Sequence, residues 1–428
     1  MQDAQSISMT GDLFFIAVNA VLGFTFLFCY LYQFFYLAVP FVFRDRVPAA
    51  PKRNRIAALI AARNEENVIP LLLESLRAQT YPAELLSVFV AADNCSDKTA
   101  KVAREHGAIV YERADTQNVG KGYALDFLYK KIAEDYGDTH FDAYIVFDAD
   151  NVLSPRYVEE MNAVFSDGYE VLTSYRNSKN YGDNWISAGY ALWFLRESEY
   201  LNHARMLLGT SCAVSGTGFM FASKILRETG GWKFFLLTED IEFTVYNVLQ
   251  GRKIGYAKNA ELYDEQPVSF RQSWRQRLRW AKGYIQVWGK FGGGLLKNLF
   301  SKKFTSCYDM TMTIMPALVI SILTILNFLV GTACALAFGW ETGRLASALA
   351  ATLFGIYATL WFIGAITTVT QWKKIHCNVF EKIFYTFTFP IFMLTYLPIA
   401  ITAIFKKVEW KPIKHHRVKT LDDIVAGN

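Results

Sequence analysis

The stretch Ala143-Tyr-Ile-Val-Phe147 runs straight into Asp148-Ala-Asp150: a strand-length apolar segment that ends in two carboxylates. A run without polar alternation is what a strand buried on both faces requires, which points to a parallel sheet covered by helices. Working outward, three runs of the same kind precede it, at residues 56–61, 88–92 and 108–111. Segments with helical spacing alternate with them: residues 68–76 with Pro70 in the first turn, residues 98–106, and residues 123–132 opened by Gly120-Lys121-Gly122. The alternation predicts an α/β domain with a mostly parallel sheet. Ligands bind beyond the carboxyl ends of such strands. Polar clusters stand at those ends here: Asn64/Glu65, Asp93, and Asp148/Asp150.

The whole chain of 428 residues is 52% hydrophobic and only 19% charged. That charge content lies below the roughly 25% usual for soluble domains, which argues against disorder and against an ordinary cytosolic protein. Residues 13–43, 310–340, 345–372 and 383–405 contain no Asp, Glu, Lys or Arg. Each is at least as long as the roughly 20 apolar residues that cross a bilayer as a helix. The first is too long for a signal-peptide core and lacks a small-residue cleavage site, so it reads as a retained anchor. Arg44, Arg46, Lys52, Arg53 and Arg55 follow it, which by the positive-inside rule places the soluble stretch in the cytoplasm and the chain in the plasma membrane as a multi-pass protein. The six cysteines are scattered without a CxxC pair, which fits a reducing compartment and argues against zinc or a disulfide framework. The net charge of +5 suits cytoplasmic membrane flanks, and no nucleic-acid module lies behind it.

Three motifs carry chemistry. Asp148 and Asp150, at i and i+2 past a strand, offer hard oxygen ligands that can hold Mg²⁺ or Mn²⁺ against a diphosphate; a solvated turn is the alternative. Thr238-Glu239-Asp240 follows the aromatics Trp232, Phe234 and Phe235 and opens a helix-like segment at residues 241–249. A carboxylate there can act as a general base, or the motif can be a helix start with Thr238 as cap. In Gln276-Arg-Leu-Arg279-Trp280, Arg275, Arg279 and Lys282 share one helical face, and Trp274, Leu278 and Ile285 another. This suits an amphipathic helix at the membrane interface, and it also offers a cation for a departing diphosphate and an indole for stacking on a sugar.

Taken together and in this order, these motifs resemble the membrane-bound processive family 2 glycosyltransferases, which include cellulose, hyaluronan and chitin synthases. The resemblance covers nearly the whole chain. It implies a nucleotide-sugar-binding, GT-A-like domain fused to an α-helical transmembrane region with interfacial helices. The parts would be an N-terminal tail (1–12), an anchor (13–43), a cytoplasmic glycosyltransferase domain (51–268), amphipathic interface helices carrying the Gln-x-x-Arg-Trp motif (269–304), a membrane region of two to three spans (310–405) and a basic tail (406–428). Asp93 would contact the uracil of a UDP-sugar, with Ala62 and Glu65 closing the uridine pocket and Lys121 near the diphosphate. Asp148 and Asp150 would be nucleotide and metal ligands, with Asp150 in direct contact with Mg²⁺ or Mn²⁺. Asp240 would be the catalytic base, Arg279 would stabilise leaving UDP, and Glu239, Gln276 and Trp280 would bind the acceptor. Trp232 and Tyr284 are further candidates for stacking on sugar rings. Asp93 is followed by Asn94, where many relatives have two adjacent acidic residues, and Asp97 reads as a helix cap.

The implied activity is inverting polymerisation of a UDP-hexose, UDP-glucose or UDP-N-acetylglucosamine, into a β-linked polysaccharide that is threaded across the bilayer. The partners are then the donor, the growing polysaccharide and the lipid, with the oligomeric state left open. The alternative is a single transfer to a membrane lipid, since some lipid glucosyltransferases share Gln-x-x-Arg-Trp. The membrane count leaves one conflict. Three crossings after the domain would put Lys406, Lys407, Lys411, Lys414, His415, His416 and Arg417 outside, against the positive-inside rule. Either that rule fails here or one stretch does not cross, and Pro390 and Pro398 make the last stretch the natural suspect.

Overall fold

A computed structural model describes residues 2–45, 51–338, 342–409 and 418–426. Arg46, Trp340 and the basic residues at 411–417 lie outside the described residues. The four apolar runs are strands: β1 (Ile56–Ala62), β2 (Leu86–Asp93), β3 (Ile109–Arg113) and β4 (Ala143–Asp148). β1 pairs in parallel with β2 and with β4, and β2 with β3. The register sets Ala62 beside Ala92, and Ala61 beside Asp148. The polar clusters read from sequence therefore share one edge.

The second half of the sheet is β5 (Val152–Leu153), β6 (Val171–Ser178), β7 (Phe219–Ala222) and β8 (Ile254–Asp264). The order is β3-β2-β1-β4-β7-β6-β8-β5. β7 runs antiparallel to both β4 and β6, β5 runs antiparallel to β8, and β6 and β8 are parallel. The parallel expectation thus holds on the β3-β2-β1-β4 side, and the sheet is mixed beyond it. A bulge in the β6–β8 ladder between Ser174 and Tyr175 lets β8 run on to set Asp264 beside Ser178. Apolar layers cover both faces, one including Leu59, Phe89, Leu128 and Phe221, the other Ile60, Val90, Leu72 and Met161.

Among the described residues, the stretches Leu13–Val42, Ala317–Phe338, Thr342–Thr370 and Val379–Phe405 are long and apolar enough to cross a membrane. The first three turn large apolar side chains outward, among them Phe14, Phe24, Phe28, Leu329, Leu336 and Phe354. A surface of that kind suits lipid rather than water. A buried ion pair fastens the anchor to the domain. Arg205 reaches both carboxylate oxygens of Asp309 at 2.8 and 2.7 Å, and the hydroxyls of Tyr32 and Tyr36 donate to the same carboxylate.

The fourth stretch is different. It consists of two helices, Val379–Leu394 and Tyr396–Phe405, and it touches the domain side along its length. Tyr385 Oη donates to the Gly182 carbonyl, and Gly189 lies so close to Phe392 that a Cβ there would meet the ring at 2.3 Å. Farther along, Ile399 and Ala403 pack on Leu278, and Lys282 Nζ donates to the Ala403 carbonyl at 3.0 Å. Beyond it, Ile424 of the short helix Leu421–Val425 is buried with Leu71, Val152 and Tyr263 of the domain. The last apolar stretch therefore packs one face on the helices Trp185–Arg196 and Phe270–Asn298, while Phe380, Phe384 and Phe405 stay exposed.

Candidate functional site

The site grows from the ends of β1, β2 and β4. Asn64 and Asn94 follow β1 and β2 with φ of 58° and 52°, a left-handed conformation that asparagine tolerates better than most residues. Each pins a neighbouring loop: Asn64 Oδ1 accepts from Ser96 N at 2.7 Å, and Asn94 bonds both the amide and the carbonyl of Asp115. Asp93 is buried, and its Oδ1 accepts from Arg113 at 2.6 Å and from Asn94 at 2.9 Å. Burial raises its pKa while the Arg113 guanidinium opposes that rise. Ala62 closes β1, where its carbonyl takes the Cys95 thiol, and the Glu65 amide bonds Thr99 Oγ1 at 2.8 Å. Asp97 accepts from the amides of Thr99 and Glu66, so it ties down the helix start as its position suggested.

Lys121 is the first residue of the helix Lys121–Tyr136 and follows Gly120, whose φ of 143° favours glycine. Its ammonium bonds the Asp148 carboxylate and, at 2.8 Å, the Gly216 carbonyl. Thr217 Oγ1 and Asn151 Oδ1 hold the Asp148 amide. Asp150 is buried, and its Oδ2 accepts from the Glu265 amide at 2.9 Å. β8 thus delivers Asp264 and Glu265 to the Asp148/Asp150 turn. Asp264 pairs with Arg176, and burial pushes its pKa up to about 6. Lys179, buried just past β6, has an ammonium without a hydrogen-bond partner among the described residues. Burial lowers its pKa against the pull of Asp150, Glu265, Asp264 and Glu65. Arg113, Arg176, Lys179, Asp264 and Glu265 escaped sequence reasoning; the one available signal was their position at strand ends.

Among the described residues, no three His, Cys, Asp or Glu side chains are grouped to hold a metal by themselves. Asp148 and Asp150 still fit a hard divalent cation, because Mg²⁺ and Mn²⁺ take one or two carboxylates and complete their shell with phosphate and water oxygens.

Facing this edge is the helix Glu239–Gln250. Thr238 precedes it but makes no side-chain cap; instead Glu242 Oε2 takes the Leu236 amide at 2.9 Å. Asp240 is half-buried, and its Oδ2 accepts from the Gly216 amide at 2.7 Å. Burial raises the pKa of both Glu239 and Asp240, and the Asp240 charge raises that of Glu239 further. The charges of Lys121 and Arg279 oppose the shift at both carboxylates. One residue, Gly216, joins the two halves: its carbonyl holds Lys121, its amide holds Asp240, and its φ of 74° favours glycine.

The Gln-x-x-Arg-Trp motif lies on the helix Phe270–Asn298. Arg279 donates to the Leu237 carbonyl at 2.8 Å, which ties this helix to the segment preceding Asp240. Gly283 permits that approach, since a Cβ there would meet Thr238 Oγ1 at 2.4 Å. Trp280 is half-buried and edge-on to Tyr190 and Phe194, with centroids 5.7 and 6.3 Å away. Gln276 has a buried Oε1 without a hydrogen-bond partner among the described residues. Tyr284 is half-buried and within electrostatic reach of Asp240. Trp232 corrects an expectation. It is 1% exposed, packed among Phe219, Phe221 and Phe243, and its indole N–H is spent on the Phe234 carbonyl. It is a core residue with no face for a sugar.

Residues 51–283 match the family model described as "Glycosyltransferase like family 2". A probable glycosyltransferase of Bacillus subtilis is 28% identical over 273 residues, which cover 58% of this chain and 59% of that protein. A beta-monoglucosyldiacylglycerol synthase of Synechocystis is 25% identical over 55% of this chain and 49% of its own length. A poly-beta-1,6-N-acetyl-D-glucosamine synthase of Staphylococcus aureus is 25% identical over 60% and 59%. The chain therefore spans about half to three fifths of the length of these relatives. Among solved structures, a mannosyltransferase from Pyrobaculum calidifontis, in complex with GDP-Man and Mn²⁺, superposes with a TM-score of 0.59 at 15% identity, covering 92% of this chain and 99% of that one. This likeness shows a shared fold. With the family match extending over more than half of its 428 residues, the chain belongs to glycosyltransferase-like family 2.

Proposed function

We propose that the chain is an inverting transferase that moves a hexose from UDP-glucose or UDP-N-acetylglucosamine to an acceptor hydroxyl at the cytoplasmic face of the plasma membrane, building a β-linked polysaccharide and passing it across the bilayer. The observation that carries this reading is the double grip of Gly216, which sets a cation for the diphosphate and a carboxylate for the acceptor on either side of one residue. Asp93, with Ala62 and Glu65, takes the uracil, and Lys121 takes the diphosphate. Asp148 and Asp150 hold Mg²⁺ or Mn²⁺, which when bound neutralises diphosphate charge. Asp240 removes the acceptor proton as the acceptor oxygen bonds the anomeric carbon. The bond from that carbon to the diphosphate breaks, its electron pair leaves with UDP, and Arg279 meets the charge. Glu239, Gln276 and Trp280 hold the acceptor.

Three crossing helices with residues 379–405 lying along the interface, the domain at 51–268 and the interface helix from 269 make up the arrangement proposed here. It leaves Lys406 and Lys407 on the catalytic side, as the positive-inside rule prefers.

A second reading, transfer to a membrane lipid, is favoured by the neighbourhood of Trp280. Its partner Tyr190 packs on Phe392 at 5.0 Å, so one edge of the aromatic platform is built from the interface-lying stretch. The experiment is to incubate purified chain in lipid with radiolabelled UDP-glucose or UDP-N-acetylglucosamine and Mn²⁺. Label retained in water as long chains supports the polysaccharide, label extracted into organic solvent supports the glycolipid, and absence of UDP release with either donor overturns both.

A further inference from the structure

Lys179 is a buried lysine that the reaction proposed above does not use. It stands immediately past β6 and is 3% exposed. Its amide donates to the Asp264 carbonyl at 2.9 Å. The amide of that same peptide group, Glu265 N, donates to Asp150 Oδ2 at 2.9 Å. A single peptide at the end of β8 therefore has the Lys179 backbone on one side and the Asp150 carboxylate on the other. The next residue locks this arrangement. Asn180 Nδ2 donates to the Gln266 carbonyl, and Asn180 Oδ1 accepts from the Gln266 amide, both at 2.9 Å. The chain that carries Lys179 is thus clamped to the strand end that carries Asp264 and Glu265.

Acids from three strand ends lie within electrostatic reach of the ammonium: Glu65 past β1, Asp150 past β4, and Asp264 and Glu265 at the end of β8. Asp264 bonds Arg176 and Gln266 instead, and Lys179 Nζ has no hydrogen-bond partner among the described residues. An amine buried with its donors unspent is costly, and an apolar side chain would fill the same space without that cost. What Lys179 adds at this place is charge. In a poorly screened interior a charge acts on its neighbours without touching them.

The two ligands of the proposed reaction meet that charge with opposite signs. Asp150 is the expected contact for Mg²⁺ or Mn²⁺, and the diphosphate runs from this turn toward the uridine pocket that Glu65 borders. A fixed cation between them opposes a bare divalent metal and favours an anion.

We propose that Lys179 is a positioning residue that acts through its charge. It holds bare Mg²⁺ or Mn²⁺ off the Asp148/Asp150 turn and draws the nucleotide diphosphate toward it, so that nucleotide binds ahead of free metal. The inference rests on the UDP-sugar reading above and adds an order of binding to it.

The test is titration calorimetry on the full chain in detergent, with Mn²⁺ alone and with UDP alone. Lys179→Met removes the charge and keeps much of the length. The Kd for Mn²⁺ should fall about tenfold, and the Kd for UDP should rise about threefold to tenfold. Lys179→Arg keeps the charge and should leave both values within about twofold of the unsubstituted protein. The opposite signs separate a lost charge from a loosened fold, which weakens both ligands. Shifts in the same direction, no shift in Lys179→Met, or equal shifts in the Met and Arg variants each overturn the proposal. UDP binding without Mn²⁺ binding by either the unsubstituted protein or Lys179→Met overturns it too, and leaves the nucleotide-site reading standing. Absence of UDP binding by the unsubstituted chain overturns both.

Discussion

The two sides of the site treat their carboxylates in opposite ways. On the donor side three acids hold a protein cation, Asp93 with Arg113, Asp148 with Lys121 and Asp264 with Arg176, while Asp150 takes the Glu265 amide. On the acceptor side Asp240 has a backbone amide, and Glu239 lies buried beside it. Burial raises the pKa of Asp93 and Asp264 while their bonded guanidiniums oppose it. At Glu239 and Asp240 the cations that oppose burial, Lys121 and Arg279, are hydrogen-bonded to other groups. Under the proposed function one fold thus supplies a surface for a diphosphate and, a residue away through Gly216, a base for a hydroxyl.

The contrast can be broken most forcefully at Asp240. Asp240→Asn keeps the shape and removes the base, so the transfer rate should fall by about 10²–10⁴ with UDP affinity unchanged; equal loss of both would place Asp240 on the donor side instead. Next, Lys121→Met removes a charged hydrogen bond from the donor side. With such bonds contributing about 1.5–3 kcal/mol, the Kd for UDP should rise about tenfold to a hundredfold in titration calorimetry. Gly216→Ala tests the joint. The space beside Gly216 admits a Cβ, with the nearest atom at 3.7 Å, but its φ of 74° does not suit one. A left-handed alanine costs about 1–2 kcal/mol, so a modest loss of thermal stability should accompany a fall in rate of up to about tenfold, and a change in stability alone would separate the two halves.

The smallest effect is in the pH profile. Because Asp240 works only when ionised and burial raises its pKa, the rate should fall as pH drops through a value above the ordinary aspartate range near 3.9. Glu239→Gln removes a neighbouring negative charge and should move this acid limb to lower pH. Lys121→Met removes a positive charge that favours the ionised form and should move it to higher pH, a shift of opposite sign read from the same rate measurements.

The donor half was legible because its strands are short apolar runs, and burial on both faces leaves that signature. The β5–β8 half of the sheet was not. β6 contains the buried polar residues Thr173, Ser174, Asn177 and Ser178, and β5 has two residues, so neither shows a period. β8 is interrupted by a bulge, its residues 258–260 lying between the partners of Ser174 and Tyr175. The π-helical segment Glu197–His203 breaks the 3.6-residue spacing by which helical faces are recognised. Trp232 was misjudged for a related reason: the Phe cluster that swallows its indole is brought there by tertiary packing. The Asp148/Asp150 and Gln276–Trp280 motifs were legible because each consists of side chains close in sequence.

The docking of Ile424 between Leu71, Val152 and Tyr263 fixes sidedness in a way that a chemical label can read. Leu13–Val42 extends about 45 Å as a helix at 1.5 Å per residue, enough, in the arrangement proposed above, to put its first turn across the membrane from the domain. A cysteine introduced at Leu13 should react with an impermeant maleimide added outside intact cells, and one at Val418 only after the cells are opened.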